Sequence, residues 1–326
     1  MNAKEREESV AKKKILFAGT PEIAVPLFEK LCEKFDVVGV LTSPDSPQGR
    51  SKALVPSPVK EAAIKRKIPV LQFDSIRTEA REAIKELKPQ VLVTFAFGKI
   101  FGPKFLSLFE STFNVHPSLL PLFRGASPIQ STILNGLREC TISLQTLGLK
   151  MDEGAIWATD TFTLTGTETT ETLTTLVSER AASFVPETLE RVFNSEIKAE
   201  EQKGKVSYCS KIEREDSRLD FNKTALELHC QIRALYPWPK AYASVDGKEI
   251  FITGVWGGFE DLEKEERLEP SVKPGTVVSY RKDRGVGVAC SDKIIWLNSF
   301  QLPARKEMDF KAFANGNAWI KTAVFD

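Results

Sequence analysis

Asn114 and His116 stand two residues apart where the β-type run Thr112–Val115 ends. Side chains two apart on an extended chain emerge on one face, so a carboxamide and an imidazole can converge on one small group. That pair suits acyl transfer. The amide N–H stabilises the oxyanion of a tetrahedral intermediate while the imidazole moves protons near neutral pH. A third partner is expected, and Asp152, followed by Glu153 and Gly154, closes a second β-type run that begins at Thr141–Gln145. A carboxylate there can orient His116 or hold it protonated as charge develops. Taken singly, each has a plainer reading: a histidine at a strand end is often structural, and Asp-x-Gly is common in turns. The chain has only 2 histidines, and Asn, Pro, Arg and Gly crowd around His116, which favours its functional reading. His229 falls within a helical run and reads as structural. Asn114, His116 and Asp152 form a coherent catalytic set without a metal.

The elements that must position this set are legible as alternating strands and helices. Ile15–Gly19 is a continuous apolar run that stops at a glycine, and Pro21 stands where a helix can begin, since a missing N–H costs nothing in a first turn. The pattern continues with a strand at Val37–Thr42, a helix over about Pro58–Arg66 and a short strand near Val70. A helix with Ala80, Ala83, Ile84 and Leu87 on one face follows, then a buried strand at Val91–Ala96. Strands apolar throughout, alternating with helices, predict a doubly wound, mostly parallel, Rossmann-like α/β sheet covered on both faces. Such sheets bind ligands beyond the carboxyl ends of their strands, which places the loops after Ala18, Thr42, Ala96 and Val115 at the ligand edge.

Beyond a long helix near Glu171–Phe193 the chain turns polar and loses apolar periodicity. The domain reading is therefore a charged N-terminal tail (1–14), a catalytic domain (15–194), a linker (195–217) and a C-terminal domain (218–326). The last begins with a helix at Thr224–Leu235 and continues as short β-type runs at Ala241–Val245, Glu249–Val255, Thr276–Ser279, Gly285–Ala289 and Ile294–Phe300, which predict a small β-barrel. The charged stretch Glu260–Glu269 reads as a solvated loop.

A net charge of +1 gives no overall basic imbalance, so any nucleic-acid contact must come from local patches. Five cysteines without a Cys-x-x-Cys pair suggest neither a disulfide framework nor a thiolate metal site, and a reducing compartment follows. No signal-like or membrane-spanning apolar run is present, so a cytoplasmic protein is expected.

The stretch Phe113-Asn-Val-His-Pro-Ser-Leu-Leu-Pro-Leu-Phe-Arg-Gly-Ala-Ser-Pro-Ile-Gln130, with Asp-x-Gly downstream, resembles the signature of the folate-dependent formyltransferase family. The resemblance implies that Asn114, His116 and Asp152 are the catalytic trio, and that Ser118, Leu119, Leu120 and Pro121, with Phe97 and Gly98, line the folate site. Phe17-Ala-Gly-Thr-Pro21, Ser43-Pro-Asp45 through Gly49-Arg50-Ser-Lys52 to Pro56-Ser-Pro58, and Ile232-Arg-Ala-Leu-Tyr-Pro-Trp-Pro239 are similar to the branch acting on charged initiator tRNA. It then implies transfer of formyl from 10-formyltetrahydrofolate to the α-amine of methionyl-tRNA by a metal-free monomer. Arg50 and Lys52 would touch the tRNA, and an OB-like β-barrel would hold it. Lys273, Arg281, Lys282, Arg284, Lys293, Arg305 and Lys306 make the late part of that domain modestly basic. The chain departs from the family pattern at Ser51, Ala155 and Tyr236, none of them a proposed catalytic group. A formyltransferase for a small amine, a formyl-folate hydrolase and a non-catalytic tRNA-binding protein remain as alternatives.

Overall fold

The structure, a computed structural model, describes residues 13–47, 53–265, 267–269 and 271–326. The chain divides into two compact units: Met1–Pro128, Thr141–Thr161 and Thr174–Cys209 form the first, and Ile129–Cys140, Phe162–Leu173 and Ser210–Asp326 the second.

One seven-stranded sheet organises the N-terminal half. Its strands are β1 (Lys14–Gly19), β2 (Asp36–Thr42), β3 (Val70–Gln72), β4 (Val91–Phe95), β5 (Ser111–His116), β6 (Glu139–Thr146) and β7 (Ile156–Thr163), in the spatial order β7-β6-β5-β4-β1-β2-β3. The pairs β1–β2, β2–β3, β1–β4 and β4–β5 are parallel, whereas β5–β6 is antiparallel. The sheet is thus mostly parallel, as its apolar strands predict. Ile15–Gly19 and Val91–Phe95 are buried along their whole length, which a central strand covered on both faces requires. Strand order reverses at β1, so the carboxyl ends of β1 and β4 flank the crevice where such sheets take ligands.

Local chemistry sets the helix bounds. Ser57 caps the helix Pro58–Lys65 by accepting from the Lys60 N–H, and Pro58 occupies its first turn. In the helix Thr170–Phe193, Leu173, Val177, Ala181, Val185 and Leu189 are all fully buried at every fourth position.

In the second unit, Thr224 and Glu227 form a capping box on the helix Ala225–Ala234. Six strands follow: β8 (Ala241–Val245), β9 (Lys248–Val255), β10 (Val277–Arg281), β11 (Gly285–Ala289), β12 (Ile294–Gln301) and β13 (Met308–Asp309). Their order is β8-β9-β12-β11-β10, with β13 on β12, and every pairing is antiparallel. Ile232, Ile252, Val286, Leu297, Phe300 and Phe313 are among the side chains of its core. The charged stretch from Glu260 is not a loop at its start. Phe259–Lys264 is helical because Phe259 and Leu262 give it a buried face. His229 is structural: its Nδ1 accepts from Arg233 Nε (3.0 Å) and its Nε2 donates to the Gly257 carbonyl (3.1 Å). Burial, and then the Arg233 guanidinium, push its pKa down to about 3. Among the described residues no helix is long and apolar enough to cross a membrane.

Candidate active site

Asn114 and His116 lie at the carboxyl end of β5, on the ligand edge of the sheet. The neighbouring strand β4 sets Thr94 in register with Asn114, and the buried Thr94 hydroxyl donates to Asn114 Oδ1 at 2.7 Å. With Oδ1 committed, the Asn114 Nδ2 group must face the other way, and it meets Asp152 Oδ1 at 3.4 Å. That long bond is weak enough to be exchanged for a better acceptor. Thr94→Val removes the hydroxyl and frees the carboxamide to turn. A hydrogen bond of about 1 kcal/mol is lost, and we expect kcat to fall about tenfold with substrate KM values unchanged, measured by steady-state kinetics.

His116 is buried, and its Nε2 donates to the Phe123 carbonyl at 2.9 Å. In the neutral ring this leaves the lone pair on Nδ1, which stands 3.6 Å from Asp152 Oδ1. Burial lowers the His116 pKa below its usual value, against the opposing pull of the Asp152 carboxylate and the Phe123 carbonyl. The imidazole is therefore neutral at physiological pH, with a carboxylate in place to steady the imidazolium once a proton arrives.

Asp152 reaches the site from the turn between β6 and β7, not from a strand end as the sequence suggests. The strand stops at Thr146, and Asp152 adopts a left-handed φ of 53°. Its Oδ2 accepts from the Gly125 N–H (2.9 Å), and Oδ1 accepts from Gln145 Nε2 (2.9 Å) as well as from Asn114. Three donors on two oxygens hold the carboxylate aimed. Two glycines make the approach possible. A Cβ on Gly125, whose φ is 124°, would lie 2.2 Å from the Cys209 carbonyl oxygen, and one on Gly154 would lie 1.7 Å from that of Thr146.

The segment Ser118–Pro121 follows directly and is held by polar contacts. Ser118 Oγ donates to the Leu122 carbonyl (2.6 Å), and Ser143 Oγ donates to the Ser118 carbonyl (2.6 Å). Leu120 and Pro121 are buried while Leu119 is exposed. Phe97 sits after β4, its ring buried in a cluster with Leu16, Ala18, Leu41 and Phe101. Gly98 beside it is exposed, with open space where a Cβ would point. Arg50 and Lys52 lie outside the described residues.

Four contributors escape a reading of the sequence: Thr94, Gln145, Gln202 and Ser207. Arg124 is nearly buried, pairs with Glu153 (3.0 Å) and donates to Gln202 Oε1 (2.7 Å). The main chain of Tyr208–Cys209 pairs in parallel with Arg124–Gly125, and Ser207 Oγ accepts from the Phe123 N–H at 2.9 Å. No apolar pattern marks this strap, although Arg124 and Gly125 belong to the conspicuous motif that it supports.

A family described as "Formyl transferase" matches residues 13–189, and its C-terminal domain matches residues 211–318. The chain is similar to a methionyl-tRNA formyltransferase of Borreliella burgdorferi, with 34% identity over 313 residues covering 96% of this chain and 98% of that one. Among solved structures it resembles an N-formyltransferase from Helicobacter canadensis in complex with folinic acid and dTDP-3-aminofucose (TM-score 0.64, 20% identity, 87% of this chain and 99% of that). It also resembles HypX from Aquifex aeolicus in complex with tetrahydrofolic acid (TM-score 0.58, 18% identity, 95% of this chain), and spans about half that protein's length, 47%. At these identities the two structures speak for the fold alone.

Proposed function

Because this chain belongs to the formyl transferase family in both of its matched segments, we propose that it transfers the formyl group of 10-formyltetrahydrofolate to the α-amine of methionyl-tRNA. The observation that carries this is the similarity to a methionyl-tRNA formyltransferase along 96% of the chain, the C-terminal β-domain included. The residues fit a formyl-folate. Beyond the sheet edge, the main chain around Phe97–Gly98 and the Ser118–Pro121 segment would border the donor, and the Asn114 Nδ2 group and the His116 Nδ1 lone pair stand together at Asp152 Oδ1, 3.4 and 3.6 Å from it. That chemistry needs no metal.

Each of the trio has a distinct task. Asn114 Nδ2 gives up its long bond to Asp152 and donates to the oxyanion that forms as the α-amine adds to the formyl carbon. His116 Nδ1 takes the proton that the amine nitrogen sheds, and the Asp152 carboxylate steadies the resulting imidazolium. His116 returns that proton to the folate nitrogen as its bond to the formyl carbon breaks. A C–N bond has formed, another has broken, and the site ends as it began. Because Nδ1 carries no proton before transfer, Asn114 is the principal oxyanion donor at the moment of attack. In the same reading, Arg50, Lys52 and the β-domain from Arg218 onward contact the tRNA, and the enzyme works in the cytoplasm as a monomer.

Incubation with 10-formyltetrahydrofolate and either methionyl-tRNA, free methionine, uncharged tRNA or an amino-sugar nucleotide tests the proposal by formyl-product release. Formylation confined to methionyl-tRNA supports it. Formylation of the sugar amine, or loss of formyl in every mixture, would replace it with a small-amine transferase or a hydrolase.

A further inference from the structure

We propose that Gln202 is a positioning residue for Asp152, acting from a strap remote in sequence from the catalytic strands; this rests on the transferase reading above. The Gln202 carboxamide is fully engaged. Nε2 donates to the main-chain carbonyls of Asp152 and Gly154, both at 2.8 Å, while Oε1 accepts from Arg124 Nε (3.2 Å) and Nη2 (2.7 Å). One side chain therefore joins the two segments that fix the catalytic carboxylate. The turn Asp152–Gly154 carries it, and Arg124 adjoins Gly125, whose N–H holds Oδ2.

This grip has a conformational task. Asp152 has a φ of 53°, a left-handed geometry that side chains rarely adopt and that persists where the surroundings over-determine it. Gln202 holds the carbonyls on both sides of Glu153. The strap is itself anchored at both ends: Glu200 exchanges main-chain hydrogen bonds with Ile156 (2.7 and 2.8 Å), and Cys209 O accepts from the Ala126 N–H (3.1 Å). Without Gln202 the turn can relax to an ordinary φ, carrying the carboxylate away from His116 Nδ1. Substrate-bordering segments are untouched, so the loss falls on turnover.

The test uses the full chain with Gln202→Met, which keeps the length and removes both polar atoms, and Gln202→Glu, which can still accept from Arg124 but gives no proton to the two carbonyls. Both are expected to lower kcat about tenfold, with KM for folate and tRNA within about twofold of wild type. In an Asp152→Ala background, Gln202→Met is expected to change kcat by less than about twofold, because nothing remains to be positioned. A kcat within about twofold of wild type in both variants, a loss that persists undiminished in the Asp152→Ala background, or a Gln202→Glu variant with wild-type turnover would overturn the assignment. Formyl loss from the folate is followed beside transfer to tRNA. A wild-type enzyme that used another acceptor would thus sink the tRNA reading while the Asp152–Gln202 coupling was still read.

Discussion

His116→Ala is expected to lower kcat about a thousandfold while KM for both substrates moves by no more than a few-fold. Among the described residues of the site, the imidazole has a lone pair, at Nδ1, that is both unengaged by a hydrogen bond and backed by a carboxylate. A positioned proton-transfer group contributes typically 10²–10⁴-fold. The pH profile supplies a second readout. Neutral His116 is the active form and burial holds its pKa below the usual value, so wild-type kcat should fall only as pH drops through a point below about 6.5. The sign is the same for stability. Between its lowered folded pKa and the unfolded value the unfolded chain binds more protons, so the His116 contribution is complete above the unfolded value and lost as pH falls. The acid limb of kcat should be absent in His116→Ala. Asp152→Asn should be no gentler than Asp152→Ala, since a carboxamide has one acceptor oxygen where Gly125 N–H and Gln145 Nε2 each require one. Single-turnover formylation from pH 5 to 8 decides both points. A loss of less than tenfold in either variant would remove the assigned roles.

Gly154→Ala is expected to abolish most activity, at least a hundredfold in kcat, and to destabilise the catalytic unit by about 2–3 kcal/mol, in the upper range for forced overpacking. Its Cβ would fall 1.7 Å from the Thr146 carbonyl oxygen and 2.7 Å from the carbonyl carbon, both main-chain atoms of a sheet strand that cannot swing aside. The turn must open instead. Opening it displaces the Gly154 carbonyl from Gln202 and carries away Asp152, two residues earlier. Gly102→Ala is the matched control, because nothing lies within 4 Å of the added methyl and its φ of −80° suits alanine. Thermal unfolding and steady-state kinetics should show Gly102→Ala within about twofold of wild type. An active, stable Gly154→Ala protein would mean that the turn tolerates a different path to the same carboxylate.

The sequence by itself determined the parallel part of the sheet, because strands buried on both faces must be written as unbroken apolar runs, and Ile15–Gly19 and Val91–Phe95 are such runs. It also determined that Asn114 and His116 share a face, since a spacing of two on a strand leaves no choice. Helix starts at Ser57–Pro58 and Thr224 were likewise written locally, in side chains that cap the turn beside them.

The tertiary structure decided the rest. The edge strand Ile156–Thr163 alternates half-buried and exposed positions along its second half and is rich in threonine, so no apolar run announced it. Asp152 could be picked out as a residue type, but its arrival from a turn depended on Gly125, Gly154 and Gln145 making room and supplying donors. Thr94 was one more residue in an apolar strand until its register with Asn114 gave its hydroxyl a use. The strap around Gln202 and Ser207 read as a polar linker because main-chain pairing and amide hydrogen bonds hold it rather than buried side chains. Apolar burial leaves a periodic trace in the chain that needs it, whereas a hydrogen bond between residues 50 apart leaves none until folding brings donor and acceptor together.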